Sequence, residues 1–173
     1  MKYFPVIFFL IWLYVACNRN PDPEPFLPDD YWGEASAEKN GELWVAHPAC
    51  WIDLVNNTNI NIQIDSFYSG SYLAESLTIV AIPPFPGTYK ILKSGPLPHS
   101  YLDISDGDQQ LGLYLISESD STNQMTLDSY DTLSKEIKGT FNLTFLVEHR
   151  PYSYSPDTIR FRDGKFHGKL IKK

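Results

Sequence analysis

The residues with the greatest chemical potential in this 173-residue chain are scattered along it. His47, His99, His149 and His167 share no ligand spacing. His47 with Cys50 makes two donors, where a structural zinc site takes four. Cys50, between Ala49 and Trp51, reads as a small buried hydrophobe. Asp103-Ile104-Ser105-Asp106-Gly107-Asp108 carries the acids of a calcium loop, but its glycine comes one place early and the twelfth position is not glutamate. It reads as a solvated hairpin turn. Gly-x-Ser-x-Gly elbows, Gly-rich phosphate loops and His-Glu-x-x-His helices do not occur in the sequence. The expectation is no catalytic residue, no metal and no cofactor.

What remains is binding chemistry. Arg160, Arg162, Lys165, His167 and Lys169 flank Asp163-Gly164 at a spacing of two, a candidate site for an acidic glycan, a lipid phosphate or an acidic partner. The Pro-bounded segment His149-Arg150-Pro151-Tyr152-Ser153-Tyr154-Ser155-Pro156 supplies the second candidate. Tyr152 and Tyr154 offer amphipathic rings at low entropic cost, suited to stacking on a sugar or a partner, or to covering a sheet edge.

Asp163-Gly164 is a turn signal whose twist matches paired strands. A hairpin folded about it sets Arg162 against Lys165, Phe161 against Phe166 and Arg160 against His167. Ile159, Phe161, Phe166 and Leu170 then face the core, and the five basic residues face away. Like charges directly opposite repel. Either acids on a neighbouring strand, with Asp128 and Glu148 as candidates, or an external anion must offset them, and internal balance is the commoner solution.

The elements that would position these residues are strands. Asn59 to Phe67 alternates Ile60, Ile62 and Ile64 with Asn61, Gln63 and Asp65, the pattern of a half-buried strand. Further β-rich runs span 43–46, 72–82, 88–92, 101–104, 112–116, 124–130 and 137–147, separated by turn residues such as Asn40-Gly41 and Pro86-Gly87. Only Tyr31 to Lys39 has helical character. Nine or ten strands predict an all-β domain over 41–173, an antiparallel sandwich or flattened barrel.

The chain begins Met1-Lys2 and then runs apolar from Tyr3 to Ala16, the layout of a secretory signal. Fourteen helical residues reach about 21 Å, short of a hydrocarbon core of roughly 30 Å. The run stops at Tyr14-Val15-Ala16-Cys17, which resembles the lipobox of bacterial lipoproteins, with Tyr14 where leucine is commonest. The resemblance implies cleavage after residue 16 and acylation of Cys17, two or three chains being enough for stable anchoring. Residues 17–40 then form a tether, with four prolines between Asn18 and Asp30 favouring extended chain.

Lys and Arg number 14 against 21 Asp and Glu, a net charge of −7. Removing the first 16 residues, which hold one lysine and no acid, makes it −8. Such a balance argues against nucleic acid, whose binding rests on cations meeting phosphates.

Three segments carry a wider resemblance: Gln124 to Asp131, Ile137-Lys138-Gly139-Thr140-Phe141 with its following strand, and Asp163-Gly164-Lys165-Phe166. With Pro86-Gly87-Thr88-Tyr89 and Gly41-x-x-Trp44-x-Ala46, they resemble a group of Bacteroidetes lipoproteins with an all-β domain of unassigned function. The likeness implies an all-β fold and an envelope location and brings no catalytic residues; the outer membrane is the expected address. Asp131-Thr132-Leu133 and Asp157-Thr158-Ile159 also resemble O-glycosylation acceptors of that phylum, with Thr132 the accessible one. The expected function is that of a non-enzymatic, lipid-anchored binding or assembly component. Its rivals are an enzyme of envelope glycans or lipids and a barrel-type carrier of a lipophilic ligand.

Replacing Cys17→Ser is expected to move the protein from the detergent phase to the aqueous phase in membrane fractionation. Equal partitioning of variant and wild type would refute the lipobox.

Overall fold

The computed structural model describes residues 27, 29–52, 58–68 and 72–171, so Cys17 and the apolar run before it lie outside the described residues. Ten strands follow in order: β1 (Glu34–Lys39), β2 (Glu42–Ile52), β3 (Ile60–Tyr68), β4 (Tyr72–Ile82), β5 (Gly87–Lys90), β6 (His99–Asp106), β7 (Gln109–Ile116), β8 (Gln124–Tyr130), β9 (Glu136–His149) and β10 (Thr158–Ile171). The protein is all-β, with no helix among the described residues.

Eight of these strands close on themselves. Antiparallel pairing runs from β1 to β2, β3, β4, β6, β7, β9 and β10, and from β10 back to β1. Of the two architectures expected, this ring of pairings is the flattened barrel. Where β1 has not yet begun, β10 meets β2 directly in parallel, Leu170 opposite Cys50 and Ile171 opposite Trp51. The outer edge of β9 is shared: its first half pairs β8 and its second half β7. β8 in turn carries β5. Met125, Leu127 and Ile91 from this extension join the barrel's own residues in one core cluster.

Period-two alternation builds the wall, as in β3, where Ile60, Ile62 and Ile64 are fully buried. Asn40 and Gly41 both have positive φ (52° and 90°), the tight turn that Asn-Gly favours between β1 and β2. Ser105 to Asp108 forms the β6–β7 hairpin end, with Gly107 at φ 60°.

Two expectations fail. Tyr31 to Lys39 is not helical: β1 buries Ala35 and Ala37 and exposes Glu34 and Glu38, because pairing with β2 and β10 on both edges overrides the helix propensity of Ala and Glu. The folded unit thus includes strand residues assigned above to the tether. Asp163-Gly164 is not a hairpin turn either, since β10 passes straight through it for 14 residues.

Asp163 is instead the extra residue of a β-bulge. Phe161 opposes Leu143 and Gly164 opposes Phe141, so three steps on β10 match two on β9, and the register with β1 shifts at the same place. Asp163 takes φ 50° and donates its N–H to Asn142 Oδ1 at 3.0 Å. Beyond the bulge, two Gly-x-Phe segments interlock across β9 and β10. Phe141 lies opposite Gly164, and Phe166 opposite Gly139. A methyl at Gly164 would sit 2.5 Å from the Phe141 ring. One at Gly139 would sit 2.6 Å from the Phe166 ring and 2.3 Å from the Thr126 carbonyl oxygen.

The segment entering β1 lies on the outside of the wall. Tyr31 donates its hydroxyl to Asp65 and meets Phe67 edge-on at 5.4 Å, and Trp32 stands edge-on to His167 at 5.0 Å. Gly33, at φ 89°, passes so close to β10 that a methyl there would lie 1.9 Å from the His167 carbonyl oxygen.

Gly139→Ala is therefore expected to destabilise the domain by about 1–3 kcal/mol through overpacking, read as a lower urea midpoint. Adding Phe166→Leu should recover part of the loss, and a midpoint unchanged by Gly139→Ala would contradict the interlock.

Candidate functional site

β1, β3, β6 and β9 end, and β2, β4, β7 and β10 begin, at the same mouth of the barrel. The inward phase set by Ala35 and Ala37 continues to Lys39, and that of Leu77 and Ile79 runs back to Glu75. Both charges therefore enter the last interior layer beside Trp44. Lys39 and Glu75 form an ion pair with side chains only 20% and 17% exposed. Trp44 Nε1 donates to the second Glu75 oxygen at 3.0 Å, and Lys39 Nζ lies 6.0 Å from the Phe161 ring centre. Desolvating an ion pair is costly, and these added contacts offset part of that cost.

Two clefts open on this pair. The first, of about 360 Å³, lies between Lys39–Glu75 and the β9–β10 loop, with Ile104, Tyr114 and Ile159 beneath and Tyr152 at the rim. The second, of about 300 Å³, opens sideways between β2 and β3, against Trp44, Phe67, Tyr68 and Ala74. The wall parts there for a reason. β2 pairs β3 only from His47 onward, opposite Asp65, and a bulge at Ser66/Phe67 shifts the end of β3. Lys39, Glu42 and Glu75 border both clefts, so the two adjoin at the ion pair as two lobes.

The β9–β10 loop is braced from below. Arg150 binds Asp157 and the Ser155 carbonyl, Tyr114 donates its hydroxyl to the Pro156 carbonyl at 2.9 Å, and Pro151 fills the space above Gly112. On this support Tyr152 and Tyr154 stack with ring centres 5.3 Å apart and planes 1° apart. Tyr68 and Tyr72, 57% and 63% exposed, stand on the β3–β4 side of the mouth. Desolvation, then the nearby Glu75 carboxylate, raises the Tyr68 hydroxyl above its ordinary pKa, which keeps the phenol a donor. The sequence singled out Tyr152 and Tyr154. It did not single out Lys39, Trp44 and Glu75, which three strands bring together; the only signal was that each continues the inward phase of its strand.

The five basic residues share the outer face of β10, but by the bulge rather than a hairpin. From Arg160 to Lys169 they span ten residues along one strand, roughly 30 Å. Arg162 bonds Asp120 at 3.3 Å and Thr144 Oγ1 at 3.0 Å, and His167 meets Glu136 at 3.1 Å. Lys169 lies 5.7 Å above the Trp32 ring. Arg160 and Lys165 have no ion pair among the described residues. The acids that offset the stripe are thus Asp120 and Glu136, not Asp128 and Glu148; Glu148 faces Lys93 at 3.8 Å. The pocket bordered by Arg160 and Arg162 also contains Glu38.

Elsewhere, Thr132 is exposed in the β8–β9 turn, where Asp131 Oδ1 accepts the Leu133 N–H at 2.8 Å, while Thr158 opens β10 opposite Leu146. Cys50 is fully buried, and burial pushes its thiol pKa up to about 12, as suits a packed hydrophobe. His, Cys, Asp and Glu form no group able to hold a metal ion among the described residues.

Asp120 accepts hydrogen bonds from the Thr122 hydroxyl and N–H and the Thr144 hydroxyl beside Arg162, and these hold its carboxyl well below the usual range. A depressed folded pKa contributes stability that is complete above the unfolded value of about 3.9 and fades as pH falls below it. Asp120→Asn should therefore lower the melting temperature at neutral pH and shrink its fall between about pH 5 and pH 2. Parallel pH profiles for variant and wild type would count against this anchor.

No family model matches the chain, and neither a curated protein nor a solved structure shows significant similarity to it.

Proposed function

We propose that this protein is a lipid-anchored component of the bacterial cell envelope, at the outer membrane, that binds an envelope glycan or protein partner and carries out no catalysis. The observation that carries the reading is the aromatic-rimmed groove at the barrel mouth. It combines rigid rings, a braced loop and a few convergent polar groups, the usual make-up of a recognition site.

The carrier reading lacks comparable support, because Phe141, Phe145, Phe161 and Tyr114 occupy the interior, all nearly inaccessible. The enzyme reading would need a carboxylate available for proton transfer, and Glu75 is committed to Lys39 and Trp44. Net charge of −7 supports a partner other than nucleic acid.

The test is retention of solubilised envelope material by the immobilised protein. Wild type should retain it, and the variant with both Tyr152→Ala and Tyr154→Ala should lose most of it while keeping its β circular-dichroism spectrum, since exposed substitutions cost within about 0.5 kcal/mol. Equal retention by both would exclude the mouth as the binding surface.

A further inference from the structure

We infer that the ligand of the mouth is an uncharged oligosaccharide of at least two rings, lying across the Lys39–Glu75 pair with one ring in each lobe of the groove. This rests on the reading of the mouth as a binding site and names what it binds.

Each lobe has the same construction. An aromatic side chain stands at its edge, Tyr152 over one and Tyr68 over the other, and both lobes meet at the same ammonium and carboxylate. A sugar ring presents a C–H face and a periphery of hydroxyls that both donate and accept. The face suits a tyrosine ring, as flat apolar surface suits any aromatic platform. The hydroxyls suit an ammonium, which only donates, beside a carboxylate, which only accepts. Neighbouring hydroxyls of one ring can therefore bond both members of the pair without breaking it. Tyr154, 82% exposed and stacked on Tyr152, extends the platform outward along the path of a longer chain.

Charge settles which saccharides fit. Two cations at this end are engaged, Lys39 with Glu75 and Arg150 with Asp157, while Arg160, bonded through its backbone N–H to Asn40 of the β1–β2 turn, has no ion pair among the described residues. Glu42, Asp106 and Asp108 have no ion pair among the described residues. The mouth is therefore net negative and repels acidic glycans and phosphate headgroups. Affinity built on stacking and hydrogen bonds should change little with salt, unlike binding held by exposed charge.

The experiment offers the purified full chain a panel of one- to six-ring oligosaccharides. Neutral gluco-, manno-, galacto- and N-acetylglucosamine series stand beside galacturonate oligomers and deacetylated glucosamine oligomers. Saturable, salt-insensitive binding to at least one neutral series is expected, tightening from one ring to three. Tyr152→Ala and Tyr68→Ala, both at exposed positions, should each weaken the three-ring ligand about tenfold, the loss of one ring contact. Thermal melting confirms that both variants are folded. Binding to no neutral series, preference for a charged series, or indifference to both substitutions would overturn the inference. So would envelope material whose retention survives periodate but not protease; that result would leave the mouth as a protein-binding surface and remove only the saccharide.

Discussion

The structure depends on one strand satisfying two neighbours at once. β10 pairs β9 along one edge and β1, then β2, along the other, and without it the ring of eight strands stays open. A strand this long with a strict period of two keeps one face inward throughout. The sequence of β10 changes phase midway: Ile159 and Phe161 are odd-numbered, whereas Phe166, Gly168 and Leu170 are even-numbered. A single inserted residue reconciles the halves, and Asp163 is that residue. Removing the bulge would turn Phe166 and Leu170 to solvent and Lys165 and Lys169 inward. No register of the wall survives that exchange.

The bulge also explains why glycine and phenylalanine alternate across β9 and β10. Closing eight strands leaves an interior just wide enough for side chains to fill. Here the filling is done by rings, and each ring needs a partner position with no side chain. Phe141 uses Gly164 and Phe166 uses Gly139, so the register that the bulge sets decides whether the rings meet glycine or each other. The two Gly-x-Phe segments, which first drew attention as turn and strand signatures, are the two halves of this contact.

Most strands were legible because alternation and turn residues are local signals, as at Ile60 to Ile64 between turns. The misreadings share a cause. Asp163-Gly164 signals tolerance of positive φ, and a bulge uses that tolerance as readily as a two-residue turn; only pairing with β1 and β9 distinguishes them. Glu34 to Lys39 carries good helix formers, yet alternation of Ala35 and Ala37 fits a strand held on both edges. Tyr152 and Tyr154 were visible because they are close in sequence. Lys39, Trp44 and Glu75 were not, because the barrel's closure, and no motif, brings β1, β2 and β4 around one point.

Charge is partitioned by the same geometry. The cations of β10 look dense in sequence, but the strand spreads them along the outer wall, where Asp120 and Glu136 reach two and the Trp32 ring a third. The acids at the mouth are fewer per stretch of sequence, yet turns from β2 and from β6–β7 gather Glu42, Asp106 and Asp108 at one end with no ion pair among the described residues. A run of like charge in sequence is therefore a poor guide to local field in a barrel, where neighbours across the wall count for more than neighbours along it. The basic stripe is balanced at Arg162 and His167, because Asp120 arrives from the β7–β8 connection and Glu136 from β9. The mouth keeps its negative sign because Glu75 and Asp157 hold Lys39 and Arg150 and the remaining acids there outnumber Arg160, which leaves hydrogen bonding and ring stacking as the means of recognition.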